Sequence, residues 1–224
     1  MPTDAGHITP VTVVKLGGGV LAHPDCFAAV LAAIGSAARE RPLLVVPGGG
    51  PFADAVRDVN RRIQLSDDAA HWMAVLAMDQ HAHLIAARLD GGVLVEMPAE
   101  ITPALDARRG AVLAPSRWLR DVDPLPHTWD VTSDSIAAWV AGAIGAQRLV
   151  LVKPPGLRVS VRPEAASFGA ASSVVGRDGG RTQGRRRRDG GLVDAYFARA
   201  LSAGVTAVIV PADQLDALHA ALRA

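Results

Sequence analysis

Six short apolar runs, at residues 11–16, 43–47, 93–95, 111–114, 149–153 and 205–210, punctuate the chain and constrain its fold more than any other feature. Most of them do not alternate apolar with polar residues, so they read as strands buried on both faces. Between them, residues 24–39, 52–63, 66–89, 133–144, 192–201 and 212–222 carry helical patterns. The first of these has proline in its opening turn, and the third starts with a serine followed by two aspartates. Strand and helix in alternation predict an α/β chain: a three-layer sandwich with a mostly parallel central sheet and helices on both faces. Residues 1–224 are expected to form one domain. Ligands of such sheets bind beyond the carboxyl ends of the strands, so chemistry is to be sought there.

Composition removes several classes. Half of the residues are hydrophobic, but 20% are charged, and no apolar run approaches the ~18 to 20 residues of a membrane helix. The first ten residues lack a basic segment followed by an apolar one, so no secretory signal is expected and the chain reads as cytoplasmic. A net charge of +1 leaves no global footprint for nucleic acid. Cys26 is the only cysteine and reads as a small buried hydrophobe, with no disulfide or cysteine zinc site to build. The cations are more telling: Lys15 and Lys153 are the only lysines, every other basic position is arginine, and both lysines end apolar runs. Lysine is a compact point charge with three donors, which suits a strand end facing a ligand.

The residues beside the lysines point to phosphate. In "VVKLGGG" Lys15 precedes Gly17, Gly18 and Gly19 in the turn after the first strand. Glycines there let backbone amides approach phosphate oxygens. Gly17, Gly19 and Ala22 also satisfy G-x-G-x-x-A, but the second strand ends in "VVPGGGPF" and not in the acid that a dinucleotide ribose needs. This second cluster, Gly48 to Gly50, beside the first implies two anionic groups facing each other, which suits phosphoryl transfer better than hydride transfer. No G-x-x-x-x-G-K-[ST] motif occurs.

"VVKLGGG", "LLVVPGGGPFAD" and "WDVTSDSIAAWVA", in that order and spacing, resemble the amino acid kinase superfamily, which includes acetylglutamate, uridylate and isopentenyl phosphate kinases. "PGGGPFAD", "LSDDAAHWMAVLAMDQ" and "WDVTSDS" are most similar to its branch of aminomethylfuran-methyl phosphate kinases in methanofuran biosynthesis. The resemblance implies the amino acid kinase fold and an ATP- and Mg²⁺-dependent transfer to a small phosphorylated acceptor. Other small-molecule kinases, acting on carboxylates or nucleoside monophosphates, and a non-catalytic nucleotide or oxyanion binder stand as alternatives. It also implies a homo-oligomer; Trp72, Met73, Val75, Leu76 and Met78 read as core or as a subunit interface, since members of the family pair through this helix. By the same resemblance Lys15 contacts the phosphoryl group in flight, and Gly17, Gly18 and Gly19 hold phosphate oxygens. Gly48, Gly49 and Gly50 cradle the acceptor, and Asp134 orients catalytic lysines. Asp54, beside the acceptor loop, is a candidate partner for a substrate amine.

Two departures are visible. The superfamily's "T-D-V-D-G" type turn reads "VKPPGL" here, leaving Gly156 for the nucleotide. The late Gly-Gly-Met-x-x-Lys segment reads "DGGLVDAYF", offering Asp194 and no lysine, so Lys153 is expected to stand in as second catalytic cation. Residues 154–190, with four arginines at 185–188, read as a long flexible loop. His71, His81 and His83 share a helix at spacings that do not make a chelating pair, so no metal ligands are expected.

Overall fold

Each of the six apolar runs forms a strand: β1 (Thr12–Leu16), β2 (Leu43–Pro47), β3 (Gly92–Val95), β4 (Gly110–Leu113), β5 (Arg148–Lys153) and β6 (Thr206–Pro211). All pair in parallel, in the order β3-β4-β2-β1-β5-β6. The structure is a computed structural model and describes residues 10–157 and 192–224. Most of the 154–190 loop expectation, including the four arginines, lies outside the described residues.

Period-two geometry divides each central strand between two cores. Val13 of β1, Leu44 and Val46 of β2, and Leu149 and Leu151 of β5 face one core. Val14, Leu16, Val45, Val150 and Val152 face the other. On the second face lie α1 (Pro24–Glu40) and α8 (Leu215–Arg223), through Phe27, Ile34, Leu218 and Leu222. On the first lie α4 (Pro98–Asp106), α5 (Ser116–Val122), α6 (Ser133–Ala143) and α7 (Phe197–Ala200), through Ile101, Trp118, Ile136 and Phe197. The 22-residue α3 (Asp67–Arg88) serves both cores, with Val75 and Met78 in one and Ala82 and Ile85 in the other. Its apolar residues therefore do not form a single stripe. The strand sequences lack alternation for the same reason, since both faces are covered. No described helix is long and apolar enough to cross a membrane.

The helix expected over 192–201 shrinks to Phe197–Ala200, because Asp194 turns back to bind the start of α6. The sequence reading passed over α4 and α5, which are short and proline-bearing or proline-flanked.

The ladders run one residue beyond the strands: the Gly17 amide donates to Val152 O at 2.9 Å, and the Gly48 amide to Leu16 O at 2.8 Å. That brings the two glycine turns into backbone contact. A Cβ on Gly18 would lie 2.1 Å from the Gly50 nitrogen, and one on Gly48 would lie 2.6 Å from the Gly18 nitrogen. Gly50, the first residue of α2 (Gly50–Ile63), also has φ +55°, a left-handed conformation that glycine adopts without a side-chain clash. Neither loop can keep its place if the other acquires a side chain. We predict that Gly18→Ala costs about 1 to 3 kcal/mol of stability through overpacking, read as a drop of several degrees in thermal midpoint. A midpoint unchanged from wild type would mean that the loops are not in contact.

Candidate active site

Continuing the first-face rows of β1 and β5 by one more step gives Lys15 after Val13 and Lys153 after Leu151. The two lysines therefore point to the same side of the sheet, toward α6, on adjacent strands. Asp134, in the first turn of α6, meets both. Lys153 Nζ donates to Asp134 Oδ2 at 2.6 Å, and Lys15 Nζ lies 2.8 Å from Oδ1. The Lys15 contact is close but poorly aligned as a hydrogen bond, so it acts as an ion pair. Lys15 and Asp134 are each only 5% exposed.

Burial pushes the Asp134 carboxyl up, but the charges of Lys15 and Lys153 outweigh it and hold the group below its ordinary value. For Lys153 burial dominates and Lys15 adds to it, so its ammonium sits below 10.5 although Asp134 pulls the other way. A buried ion pair is weak evidence for stability, since desolvation offsets most of its attraction. Such a cluster at the carboxyl edge of a parallel sheet is better explained by what it can bind.

The start of α6 is held by a second carboxylate. Asp194 Oδ2 accepts from the Thr132 amide at 2.9 Å, the Thr132 hydroxyl at 2.7 Å and the Ser135 amide at 3.0 Å, and Oδ1 accepts from the Ser135 hydroxyl. Asp194 therefore completes the N-terminal cap that Thr132 begins through the Asp134 amide. Lys15, Lys153 and Asp134 thus form the floor of the site, and Asp194 supports it from behind through the α6 cap.

Above this floor opens a cavity of about 410 Å³. Lys15, Lys153 and Asp134 line it together with Gly17, Gly18, Gly19, Gly49, Gly50 and Asp54. Gly48 and Gly156 do not. The amides of Gly17 and Gly48 are used by the sheet, and that of Gly156 donates to Asp213 Oδ2 at 3.1 Å. The amides of Gly18, Gly19, Gly49 and Gly50 have no hydrogen-bond partner among the described residues. These are the donors left for an oxyanion. Pro154 and Leu157 of the altered turn line the cavity in place of Gly156.

The outer wall holds Arg57, Asp67, His71, Trp129 and Met78. Arg57 pairs with Asp54 at 2.7 Å and lies 5.7 Å over the Trp129 ring.

The amino acid kinase family model matches residues 10–154. This chain belongs to the amino acid kinase family. It is 25% identical over 143 residues to the [5-(aminomethyl)furan-3-yl]methyl phosphate kinase of Methanocaldococcus jannaschii, covering 62% of this chain and 63% of that relative. The match thus spans less than two thirds of the relative's length. The uridylate kinase of Archaeoglobus fulgidus superposes over 95% of both chains with a TM-score of 0.61 at 16% identity. The UMP kinase of Ureaplasma parvum covers 66% of this chain and 70% of its own, with a TM-score of 0.50 at 15% identity. At these identities the superpositions show a shared fold.

The sequence reading missed how the family's second glycine loop is supported. His81, fully buried between Phe27 and Phe52, holds its Nδ1 2.5 Å from the Gly48 carbonyl. A carbonyl only accepts, so Nδ1 carries the proton. Burial first, and then the charge of Lys15, keeps the ring below 6.5 and neutral. Helical spacing alone gave no sign of this, because the partner lies 33 residues away.

With only two lysines in the chain, lysine-selective ¹³C labelling gives one resonance for each. We predict that the Lys153 signal titrates below 10.5, and that Asp134→Asn lowers its midpoint further by removing the attraction that partly offsets burial. A Lys153 midpoint at or above 10.5 would contradict the buried arrangement.

Proposed function

We propose that the chain is an ATP-dependent kinase of a small phosphorylated acceptor. The observation that carries this reading is the pair of lysines held by Asp134 beneath unpartnered glycine amides. Phosphoryl transfer asks for placement and charge stabilisation far more than for acid–base chemistry. Lys15 and Lys153 lie where they can offset charge on the transferring oxygens, while Asp134 keeps the two ammonium groups apart and aimed. The amides of Gly18 and Gly19 suit the donor phosphates, and those of Gly49 and Gly50 suit the acceptor.

An oxygen of the acceptor's phosphate forms a bond to the γ-phosphorus of ATP as the bond to the β,γ-bridging oxygen breaks, and ADP leaves with that electron pair. The attacking oxygen is already anionic, so no base is required. The carboxylate at the floor of the site is accordingly already committed to two lysines. Asp134 is committed to the lysines and Asp194 to the α6 cap, so Mg²⁺ accompanying ATP would be held by phosphate oxygens and water.

The finer reading is [5-(aminomethyl)furan-3-yl]methyl phosphate as acceptor. It is supported by the similarity to the Methanocaldococcus jannaschii kinase and by the outer wall, where Asp54 and Asp67 could pair with an ammonium group and Trp129 and His71 could flank a flat ring. In this reading chains pair through α3, where Leu76 is exposed.

ADP formation is to be followed with a panel of aminomethylfuran-methyl phosphate, nucleoside monophosphates and carboxylates. Turnover is expected with the first. Tight ATP binding without turnover on any acceptor would favour a non-catalytic oxyanion binder. Lys15→Ala should lower kcat by about 10² to 10³, a loss typical of removing preorganised charge, and Lys153→Ala by at least about tenfold. Activity within a few fold of wild type in both would make the lysines structural.

A further inference from the structure

Thr128 and Trp129, from an irregular segment between α5 and α6, line the same cavity as the lysines. Trp129 is 38% exposed and its ring carries Arg57 of α2, the helix that follows the second glycine loop, so it belongs to the acceptor side. This segment has no ladder to fix it. The residue before it, His127, is tied at both ends: Nδ1 lies 2.6 Å from Asp68 Oδ1 and Nε2 lies 2.8 Å from Asp123 Oδ1. Asp68 belongs to the first turn of α3, and Asp123 is the C-cap of α5.

A ring with a carboxylate at each nitrogen satisfies both only when both nitrogens carry protons. The imidazolium is therefore the form that bridges α3 to α5. The side chain is 17% exposed, stacked 4.0 Å from His71 and edge-on to Trp72 at 5.2 Å. The charged and titratable groups around it are Asp68 and His71 from α3, and Asp123 and Arg120 from the end of α5, the last lying 4.6 Å over Trp72. The hydrogen bond to Asp68 leads in raising the His127 pKa above 6.5, burial opposes it, and Asp123 adds to the rise. Next to it His71 is lowered to about 4, by burial first and by the His127 charge second, so it lines the cavity as a neutral ring.

We propose that His127 is a positioning residue for the acceptor. Its imidazolium pins the Thr128–Trp129 wall between α3 and α5, so that acceptor binding weakens when the ring loses its proton while nucleotide binding does not. The inference rests on the kinase reading for its acceptor, but the clamp itself can be read without turnover. Once Nδ1 or Nε2 is deprotonated, a lone pair faces a carboxylate and that tie becomes repulsive. The clamp is therefore fully made below the ordinary histidine pKa and is lost as pH rises through the higher folded value.

Full-length protein labelled at histidine rings and tryptophan indoles is to be titrated by NMR from pH 5.5 to 9, and KM for aminomethylfuran-methyl phosphate and for ATP measured over the same range. The His127 midpoint is expected above 6.5, with the Trp129 indole moving at the same midpoint. Acceptor KM should rise at least about threefold through it as the ordered wall loses population, with kcat and the KM for ATP flat. Asp68→Asn and Asp123→Asn should each lower the midpoint and carry the KM rise to lower pH, and His127→Gln should remove the pH dependence. A midpoint at or below 6.5, an indole that ignores His127, or an acceptor KM flat across the midpoint would overturn the clamp. So would a KM for ATP that rises equally. If no acceptor turns over, the kinase reading fails, and the coupled His127 and Trp129 titrations still decide whether the clamp exists.

Discussion

Everything at the site depends on one carboxylate shared by two lysines on neighbouring parallel strands. Lys15 and Lys153 come together because β1 and β5 pair directly and the lysines occupy the same pleat parity. Two ammonium groups this close and this buried would repel each other and shed a proton without a counter-charge. Asp134 supplies it from the helix that packs on that face. Its position is fixed in turn by Asp194, which reaches back across the chain to cap α6. One charge cluster thus links β1, β5, α6 and the segment before α7.

The two glycine loops are linked in the same way, by exclusion of side chains. Gly18 and Gly50 touch backbone to backbone, so the two loops lie on adjoining surfaces of one cavity. His81 anchors the second loop from below, through the Gly48 carbonyl. Among the described residues four amides are left without a partner above a floor of two lysines and one carboxylate, an arrangement that suits oxyanions in the proposed reading.

Much of this was legible in the sequence. Strands covered on both faces give uninterrupted apolar runs, so all six were found; Lys15 and Lys153 stood out by residue type and place, whereas Asp134 looks like any first-turn helix acid and was singled out only by the family resemblance. The roles within each glycine cluster were not legible. Gly17 and Gly48 look like their neighbours in sequence, yet their amides are spent on Val152 and Leu16, and that of the isolated Gly156 is spent on Asp213. Hydrogen-bond partners tens of residues apart are set by register and packing, which local pattern does not encode. The truncated α7 has the same origin: residues 192–196 have helical composition, but the tertiary capping role of Asp194 overrides local propensity. His127 was passed over because its three partners come from other elements or turns.

The shared carboxylate and its lysines have meaning only if a phosphoryl group crosses between them and the glycine loops. A ³¹P NMR time course with ATP, Mg²⁺ and aminomethylfuran-methyl phosphate tests this directly. Wild-type protein should convert the acceptor's monophosphate signal into coupled phosphoanhydride doublets in step with ADP, and the Lys15→Ala, Lys153→Ala double variant should not. Release of inorganic phosphate without new phosphoanhydride signals, or doublets formed at the same rate by the double variant, would contradict it.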